Sequence, residues 1–469
     1  MGFKKKLHLL NPEKKNKEIE VHKTKRNIQK CIVSALSIQR DVRELLSKKV
    51  SSIYLGLWLL IPEYLRLGSW DLLKLWTGGE DKDIEPRLAL QMVNEGALCV
   101  SGIRPVRSVS HQGFELLNGL PFLATDKSIH NLLNEHTIDD AKKLQIALGK
   151  LRLTAGDYAK EGLLAFDPHR IHSYTRRIMP AKKKDRASKS EKTMQTFFCI
   201  DAITGQPIFF TIGSSCSTTS KATVELLGMV KSVFPEGFRG IAMADSEHAT
   251  AAIINEFSKD EQLGIIMPMP MIKKIKQINT EISYERKWAG YALGETSYEM
   301  SGVDFPIRLA VQRSGEIEGE YQYKPFVVTG GEDKLKLLSE DYPERWTIEE
   351  FFNFEAAMGW NRASTMNLNI RYGKMSLALI SQAATYQLRQ KLPKPYKVWT
   401  AEHLSNSVFR GIEGDLRVID DTIIVTFYGF PESFNIKNYY QNLPVKLISE
   451  GVDPRVPWLY NFKLDFRFK

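Results

Sequence analysis

The sequence predicts an α/β fold in which helices pack on a mixed β-sheet. Three observations lead to this prediction. Short apolar runs typical of buried strands alternate with segments of helical period between residues 163 and 267. The segment before them carries mainly helical patterns, and the segment after them changes to short alternating strands. We therefore expect a mixed-sheet core with a helical N-terminal domain and a β-rich insertion.

The composition of the 469 residues is that of an ordinary globular protein, with 43% hydrophobic and 26% charged residues. It excludes a mainly disordered, collagenous or coiled-coil chain, and the length suggests about three domains. The four cysteines, Cys31, Cys99, Cys199 and Cys216, are isolated in the sequence. We therefore expect neither a disulfide scaffold nor a zinc ribbon. A reduced, cytoplasmic compartment is expected instead.

The charge is unusual, because 65 Lys and Arg residues face 55 Asp and Glu residues and leave a net +10. Such a surplus indicates a polyanionic partner, either nucleic acid or an anionic membrane; a basic protein without such a partner is the alternative. The first residues lack the apolar stretch of a signal peptide. The most apolar window, 53–61, is followed by Pro62 and Glu63 and predicts a buried helix. Nucleic acid is therefore favoured, and no membrane partner is expected.

The N-terminal part is predicted to hold a basic arm and a helical domain. Residues 1–30 are Lys-rich and form either an arm on DNA phosphates or a solvated tail. Residues 31–135 have helical patterns, and Thr125 is placed to cap a helix that follows it. Nearby Arg104, Arg107 and Lys127 fit a helix-turn-helix contact with DNA, while a plain helical bundle fits equally well.

The core is predicted in the order strand, strand, strand, helix, strand, helix, strand. A turn at 201–205 joins the second and third strands into a hairpin. The predicted elements are strand 163–166 ending at Asp167, strands 196–200 and 207–212, helix 220–234, strand 240–244 ending at Asp245, helix 249–257 and strand 263–267.

Beyond the core we expect a β-rich segment, two long helices and a small tail. The predicted strands are 298–300, 307–311 and 323–329, the helices are 343–360 and 375–390, a linker lies at 393–395, and a tail strand lies at 423–428.

Two predicted strands end in aspartate, Asp167 and Asp245. Adjacent strands lie only about 4.8 Å apart, so carboxylates at their ends can converge. Converging carboxylates hold divalent cations that activate water in phosphodiester chemistry, and Mg²⁺ suits such oxygen ligands. Two aspartates in ordinary turns are the alternative.

A third carboxylate lies on a helix that begins near Pro343. At 100° per residue, Tyr342, Arg345 and Glu349 share one face. The opposite face carries an apolar stripe that would pack on the sheet, namely Ile348, Phe351, Phe354 and Met358. An arginine beside a metal-binding glutamate is suited to hold phosphate. An exposed salt-bridged face is the alternative.

With these motifs, residues 90–395 resemble the insertion-sequence DDE transposases, which have a ribonuclease-H-like catalytic core. They resemble the branch that carries the signature Y-x2-R-x3-E-x6-K and a β-rich insertion. The resemblance implies that Asp167, Asp245 and Glu349 are the catalytic, metal-binding triad. It further implies two Mg²⁺ ions per site, with Mn²⁺ as a substitute, and phosphate contacts by Tyr342 and Arg345.

The sequence departs from this signature at its last position, where Ala356 stands in place of lysine. Asn353 shares the helical face but carries no charge. Arg362 lies on the opposite face of a straight helix, although Gly359 could bend the helix. The departure affects one DNA contact and leaves the triad intact.

The resemblance implies a transposase that binds terminal inverted repeats, cleaves 3′ ends and joins them to target DNA. It also implies a homodimer that holds two ends of double-stranded DNA in a synaptic complex. Two alternatives remain. An inactive or domesticated relative would bind DNA without nicking it, and a stand-alone nuclease would cleave without strand transfer.

Other residues are candidates for DNA contact. Trp288, which follows Arg286 and Lys287, could stack on a displaced base or belong to a core. Arg176, Arg177, Lys182, Lys183 and Lys184 form a basic loop that either lines a DNA channel or is simply solvated.

Further polar residues near the motifs are less favoured candidates for the site. Asp201 is predicted to be a hairpin-turn residue, and Glu350 ranks below Glu349. His169 and His172 do not suffice for a histidine metal site, although His169 could lie close to the active site. Glu247 and His248 are candidates to support Asp245.

The resulting domain prediction is a basic arm at 1–30, a helical DNA-binding domain at 31–150, a catalytic core at 151–269 and 340–395, the insertion at 270–339, and a C-terminal domain for dimerisation or DNA contact at 396–469.

Overall fold

The computed structural model describes residues 36–100, 113–183, 189–214, 218–330, 333–361 and 365–469. Several sequence predictions lie outside these residues: the basic arm, Cys31, Arg104, Arg107, Lys184, Cys216 and Arg362. None of the helices in the described ranges combines the length and apolarity needed to cross a bilayer.

The strands are numbered in chain order. They are β1 (Val50–Ser52), β2 (Leu163–His172), β3 (Lys182–Lys183), β4 (Ser190–Glu191), β5 (Thr193–Asp201), β6 (Gln206–Ser214), β7 (Gly240–Ala244), β8 (Leu263–Pro268), β9 (Tyr284–Trp288), β10 (Tyr291–Tyr298), β11 (Ile307–Ser314), β12 (Gln322–Val328), β13 (Gly414–Ile419), β14 (Thr422–Phe427), β15 (Arg455–Val456) and β16 (Phe462–Phe468).

The α-helices are numbered in the same way. They are α1 (36–47), α2 (Ile61–Arg66), α3 (Ser69–Thr77), α4 (Glu85–Ala97), α5 (Phe114–Leu117), α6 (Asp126–Glu135), α7 (Ile138–Ala155), α8 (Thr219–Val233), α9 (Ala251–Ser258), α10 (Lys273–Glu281), α11 (Lys334–Lys336), α12 (Thr347–Glu355), α13 (Leu368–Lys391), α14 (Lys394–Lys397), α15 (Ala401–Leu404), α16 (Lys437–Tyr440) and α17 (Leu443–Ser449).

The chain divides into two compact units. The first contains the described residues up to His136 together with 384–398 and 403–469. Its five-stranded sheet has the order β1-β13-β14-β16-β15. The predicted cap is confirmed, since Thr125 accepts a hydrogen bond from the backbone of Ser128 at the start of α6. The apolar window 53–61 is largely buried, as predicted, although most of it is a 3₁₀ turn, Leu55–Leu60.

The second unit contains residues 137–383 and 399–402 and is built on a nine-stranded sheet. The strand order is β6-β5-β2-β7-β8-β12-β11-β10-β9. Strands β2, β7 and β8 are parallel to one another and the other pairs are antiparallel. The predicted mixed sheet and the order of its core strands and helices are therefore confirmed. The strands of segment 270–339 continue this same sheet, because β12 pairs with β8.

Strand β2 is longer than predicted, and Asp167 lies inside it rather than at its end. The parallel ladder with β7 stops at Phe166↔Ala244. The antiparallel ladder with β5 continues to His172↔Thr193. The second partner keeps the backbone extended after the first ladder has ended, which the apolar run alone does not reveal.

The helix expected from Pro343 to Trp360 is also irregular. A π-turn (Leu337–Asp341) and a 3₁₀ turn (Tyr342–Trp346) precede α12, and a second 3₁₀ turn (Ala356–Met358) follows it. Of the predicted apolar stripe, Ile348, Phe351 and Met358 are buried, whereas Phe354 is 38% exposed. The strand predicted at 298–300 was also wrong, since β10 ends at Tyr298.

The core of the second unit lies between the sheet and helices α8 and α9. Phe166, Phe197 and Phe209 of the sheet pack in one cluster with residues of both helices, among them Val230 and Ile253. Gly162 lies in the turn just before β2. Its φ of +66° disfavours a side chain, and a side chain there would clash with the carbonyl of Arg239.

A buried ion pair ties helix α7 to the hairpin β5–β6. The side chain of Arg152 is fully buried and donates to Asp157 (2.8 Å) and to the side chain of Gln206 (2.7 Å). It also donates to the carbonyl of Pro207 (3.1 Å) and to Gln382 (3.2 Å). Removal of such a cation leaves a buried carboxylate without its charge partner.

We therefore expect Arg152→Met to lower the free energy of unfolding by about 3–5 kcal/mol. The measurement is urea denaturation followed by circular dichroism. Lys150→Met, an exposed position on the same helix, is the matched control and should unfold like the wild type. Equal midpoints for Arg152→Met and wild type would contradict the assigned role.

Candidate active site

The first two carboxylates of the site lie on neighbouring parallel strands. Asp167 follows the last residue of β2 that pairs with β7, and Asp245 follows the last residue of β7. The paired residues just before them are Phe166 and Ala244. The register therefore places both side chains at the same edge, as the sequence predicted, even though β2 itself continues.

Asp245 is held by hydrogen bonds at the start of a short 3₁₀ turn, Ser246–His248. Its Oδ1 accepts from the backbone N–H of Glu247 (2.9 Å) and lies 2.8 Å from Nδ1 of the buried His248. A carboxylate accepts only, so Nδ1 is the donor. Glu247 in turn pairs with Arg170 of β2. Both residues that the sequence suggested as supports of Asp245 thus lie around it.

The two aspartates have opposite electrostatic environments. Burial, together with the charge of Asp245, raises the pKa of Asp167 to about 7. Burial also opposes ionisation of Asp245, but the hydrogen bond and charge of His248 outweigh it and hold the pKa of Asp245 below its usual value. The pair therefore resembles other sites in which two close carboxylates do not ionise equally.

The third carboxylate is connected to the first by a guanidinium. Nη1 of Arg345 lies 3.6 Å from Oδ1 of Asp167, and Nη2 lies 3.9 Å from Oε1 of Glu349. Arg345 and Asp167 are each 15% exposed at the side chain, and Glu349 is 41% exposed. This half-buried arrangement disfavours the alternative of a solvated salt-bridge face.

Nη1 of Arg345 is buried and has no hydrogen-bond acceptor within the described ranges. A buried donor without an acceptor is costly. An anionic ligand with a free oxygen would satisfy it.

Tyr342 is buried and ties the turn before α12 to the sheet. Its hydroxyl donates to the carbonyl of Ala244 (3.1 Å), the residue before Asp245. Burial raises its pKa to about 12, so the phenol stays protonated. Lys324 of β12 lies above the same ring, with Nζ 5.3 Å from its centre. Sequence reasoning missed Lys324, since no local signal links it to a tyrosine that follows it by eighteen positions.

The donor chemistry of this site fits a hard divalent cation. Asp167, Asp245 and Glu349 supply only carboxylate oxygens, which Mg²⁺ prefers. The raised pKa of Asp167 is the expected response of a carboxyl group that is buried and lies beside another one. Within the described ranges, however, no three His, Cys, Asp or Glu side chains are already gathered as a ligand set.

Other predicted residues lie as follows. Asp201 is confirmed as a turn residue: its Oδ1 accepts from the backbone of Ile203 and Thr204, and its Oδ2 accepts from Ala159. Trp288 is 49% exposed and stacks on Tyr291 with ring centres 4.2 Å apart, so it is not a core residue.

The basic loop after β2 is only partly described. Arg176 and Arg177 are exposed, and the backbone of Lys182 and Lys183 forms β3. His169 packs its ring on Phe352 of α12, with centres 4.5 Å apart, which places it beside the helix that carries Glu349.

One family model and one solved structure resemble this chain. Residues 158–382, just under half of the chain, match the family model described as transposase DDE domain. The match spans Asp167, Asp245 and Glu349, so it supports a DDE transposase. A cryo-EM structure of piggyBac transposase in a synaptic complex with hairpin DNA is similar with a TM-score of 0.41 and 12% identity, over 77% of this chain and 82% of that chain. Among curated proteins, no sequence matches the chain.

The raised pKa of Asp167 predicts a dependence of stability on pH. Its folded-state pKa lies above its unfolded value, so its contribution to stability is lost as pH rises towards about 7. Without added metal, the free energy of unfolding of Asp167→Asn should therefore rise relative to that of wild type by roughly 1–3 kcal/mol between about pH 5 and pH 8.

Chemical denaturation in EDTA at the two pH values measures this difference. Glu350→Gln, an exposed neighbour of the site, is the control and should show no such growth. A pH-independent difference between Asp167→Asn and wild type would contradict the raised pKa.

Proposed function

We propose that the protein is a DNA transposase that binds terminal inverted repeats, cleaves the 3′ ends of the element and transfers them to target DNA. The observation that carries the proposal is the linked set of Asp167, Asp245, Arg345 and Glu349 at one edge of a mixed sheet. The match of residues 158–382 to the transposase DDE domain supports it. The likeness of the core to ribonuclease H belongs to the same proposal.

In the proposed reaction, Asp167, Asp245 and Glu349 would hold divalent cations, with Mg²⁺ as the expected metal and two ions per site. Bound cations would lower the pKa of the attacking water and stabilise the leaving oxygen. The chain's own groups then act on the DNA. Arg345 directs Nη1, which lacks an acceptor, to a phosphate oxygen, and His248 fixes the orientation of Asp245.

The proposed DNA surface includes Tyr342 and Arg345 at the site, Trp288 on the insertion, and the loop with Arg176, Arg177, Lys182, Lys183 and Lys184. The stacked and half-exposed indole of Trp288 supports its role, because a flat aromatic face binds an unpaired base. Two such surfaces in a homodimer would hold the two ends of the element.

The triad is tested by metal-dependent nicking of an end-containing duplex. Asp167→Asn, Asp245→Asn and Glu349→Gln should each lower the nicking rate by at least about 100-fold, because each removes a charged ligand. Glu350→Gln, one residue along the same helix, is the matched control and should retain the wild-type rate.

Full activity of any of the three triad variants would show that its assignment is wrong. End-specific binding without nicking by the wild type would favour the inactive relative. Cleavage without end preference or strand transfer would favour the nuclease. Terminal inverted repeats with a short direct duplication in the DNA flanking the gene would support the transposase.

The net charge of +10 predicts that DNA binding weakens steeply with salt. Each neutralised phosphate contributes about −0.9 to the slope of log K against log salt. We expect a slope that corresponds to several phosphates, measured by fluorescence anisotropy over a range of NaCl concentrations. A flat response would contradict a role for the basic residues in DNA binding.

A further inference from the structure

Lys324 lies over the rings of Phe326 and Tyr342, next to the turn that precedes helix α12. Its Nζ is 5.2 Å from the ring centre of Phe326 and 5.3 Å from that of Tyr342. These two rings contact each other edge to face with centres 4.8 Å apart. Because the hydroxyl of Tyr342 is bonded to Ala244, the ammonium group is held beside the strand end that carries Asp245.

No carboxylate in the described ranges lies within ion-pair distance of Lys324. The charged group that acts on it is Arg345, which repels it. Partial desolvation, together with this like charge, holds the pKa of Lys324 below its usual value. Arg308 of β11 and Lys334 of α11 differ from it, because both pair with Glu295.

Lys324 and Arg345 therefore differ in how their charge is offset. Arg345 lies between Asp167 and Glu349, although its buried Nη1 has no hydrogen-bond acceptor, whereas no acidic side chain in the described part of the chain pairs with Lys324. Helix α12 supplies glutamates but neither lysine nor arginine along its length. Placing like charges together is unfavourable unless an anion joins them.

We propose that Lys324 binds a backbone phosphate of the DNA strand at the active site, next to the phosphate oxygen taken by Arg345. Lys324 thus supplies from strand β12 a positive charge that the catalytic helix does not carry. This inference rests on the proposed transposase function and adds a residue to its DNA site. The ligand is a phosphodiester, because a lysine ammonium acts as a point charge without reading the base.

The test uses Lys324→Met in the full-length protein. Methionine removes the charge and keeps an unbranched stem to pack on Phe326 and Tyr342. Lys324→Arg restores the charge, and Lys150→Met on helix α7 is the matched control with the same substitution. The probe is a fluorescent DNA duplex that carries the terminal repeat flanking the gene, titrated at several NaCl concentrations.

We expect Lys324→Met to weaken binding about tenfold at low salt and to reduce the salt slope by about 0.9, which is the value for one phosphate. Lys324→Arg should return the slope to that of wild type. The shift in melting temperature that Mg²⁺ produces should be unchanged in Lys324→Met, since the triad remains intact.

A salt slope of Lys324→Met equal to that of wild type, or a slope that Lys324→Arg does not restore, would overturn the inference. Wild-type binding and nicking in the same assay separate this result from failure of the proposed function. If wild type binds and nicks while Lys324→Met matches it, only the role of Lys324 is wrong. If wild type neither binds nor nicks the duplex, both proposals fail.

Discussion

Repulsion between two adjacent carboxylates is the constraint around which the candidate site is organised. Asp167 and Asp245 lie together because the parallel ladder of β2 and β7 ends at Phe166↔Ala244. Two groups from different parts of the chain offset the repulsion, His248 beside Asp245 and Arg345 beside Asp167. The buried phenol of Tyr342 fixes the turn that carries Arg345. The sheet brings the charges together, and the residues around it set how each one ionises.

Sequence patterns were sufficient for features that depend on local chemistry. Apolar runs located the core strands, and the side-chain acceptors of Asp201 and Thr125 determined a turn and a helix cap. The spacing of Arg345 and Glu349 also sufficed to place them in contact. In each case the partners lie within a few residues, so helical or turn geometry alone brings them together.

Features that depend on distant partners were not accessible from the sequence. The extension of β2 past Asp167 requires the register with β5. The π-turn before Tyr342 inserts an extra residue into the helical path, and no residue type marks it. Lys324 meets Tyr342 only because β12 pairs with β8 and thereby brings a strand of the segment 270–339 to the site. Pairing between distant strands, rather than any sequence motif, therefore brings the positive charge of Lys324 to the site.

The continuation of the core sheet into β12, β11, β10 and β9 also determines where the sheet ends. Among the described strands, β9 is the last, and one of its edges has no strand beside it. An open strand edge invites pairing with other chains. Charged side chains occupy the middle of β9: Glu285 and Arg286 are exposed, and Lys287 pairs with Glu285 at 2.6 Å. The strand that extends the sheet thus carries its own protection against edge-to-edge aggregation.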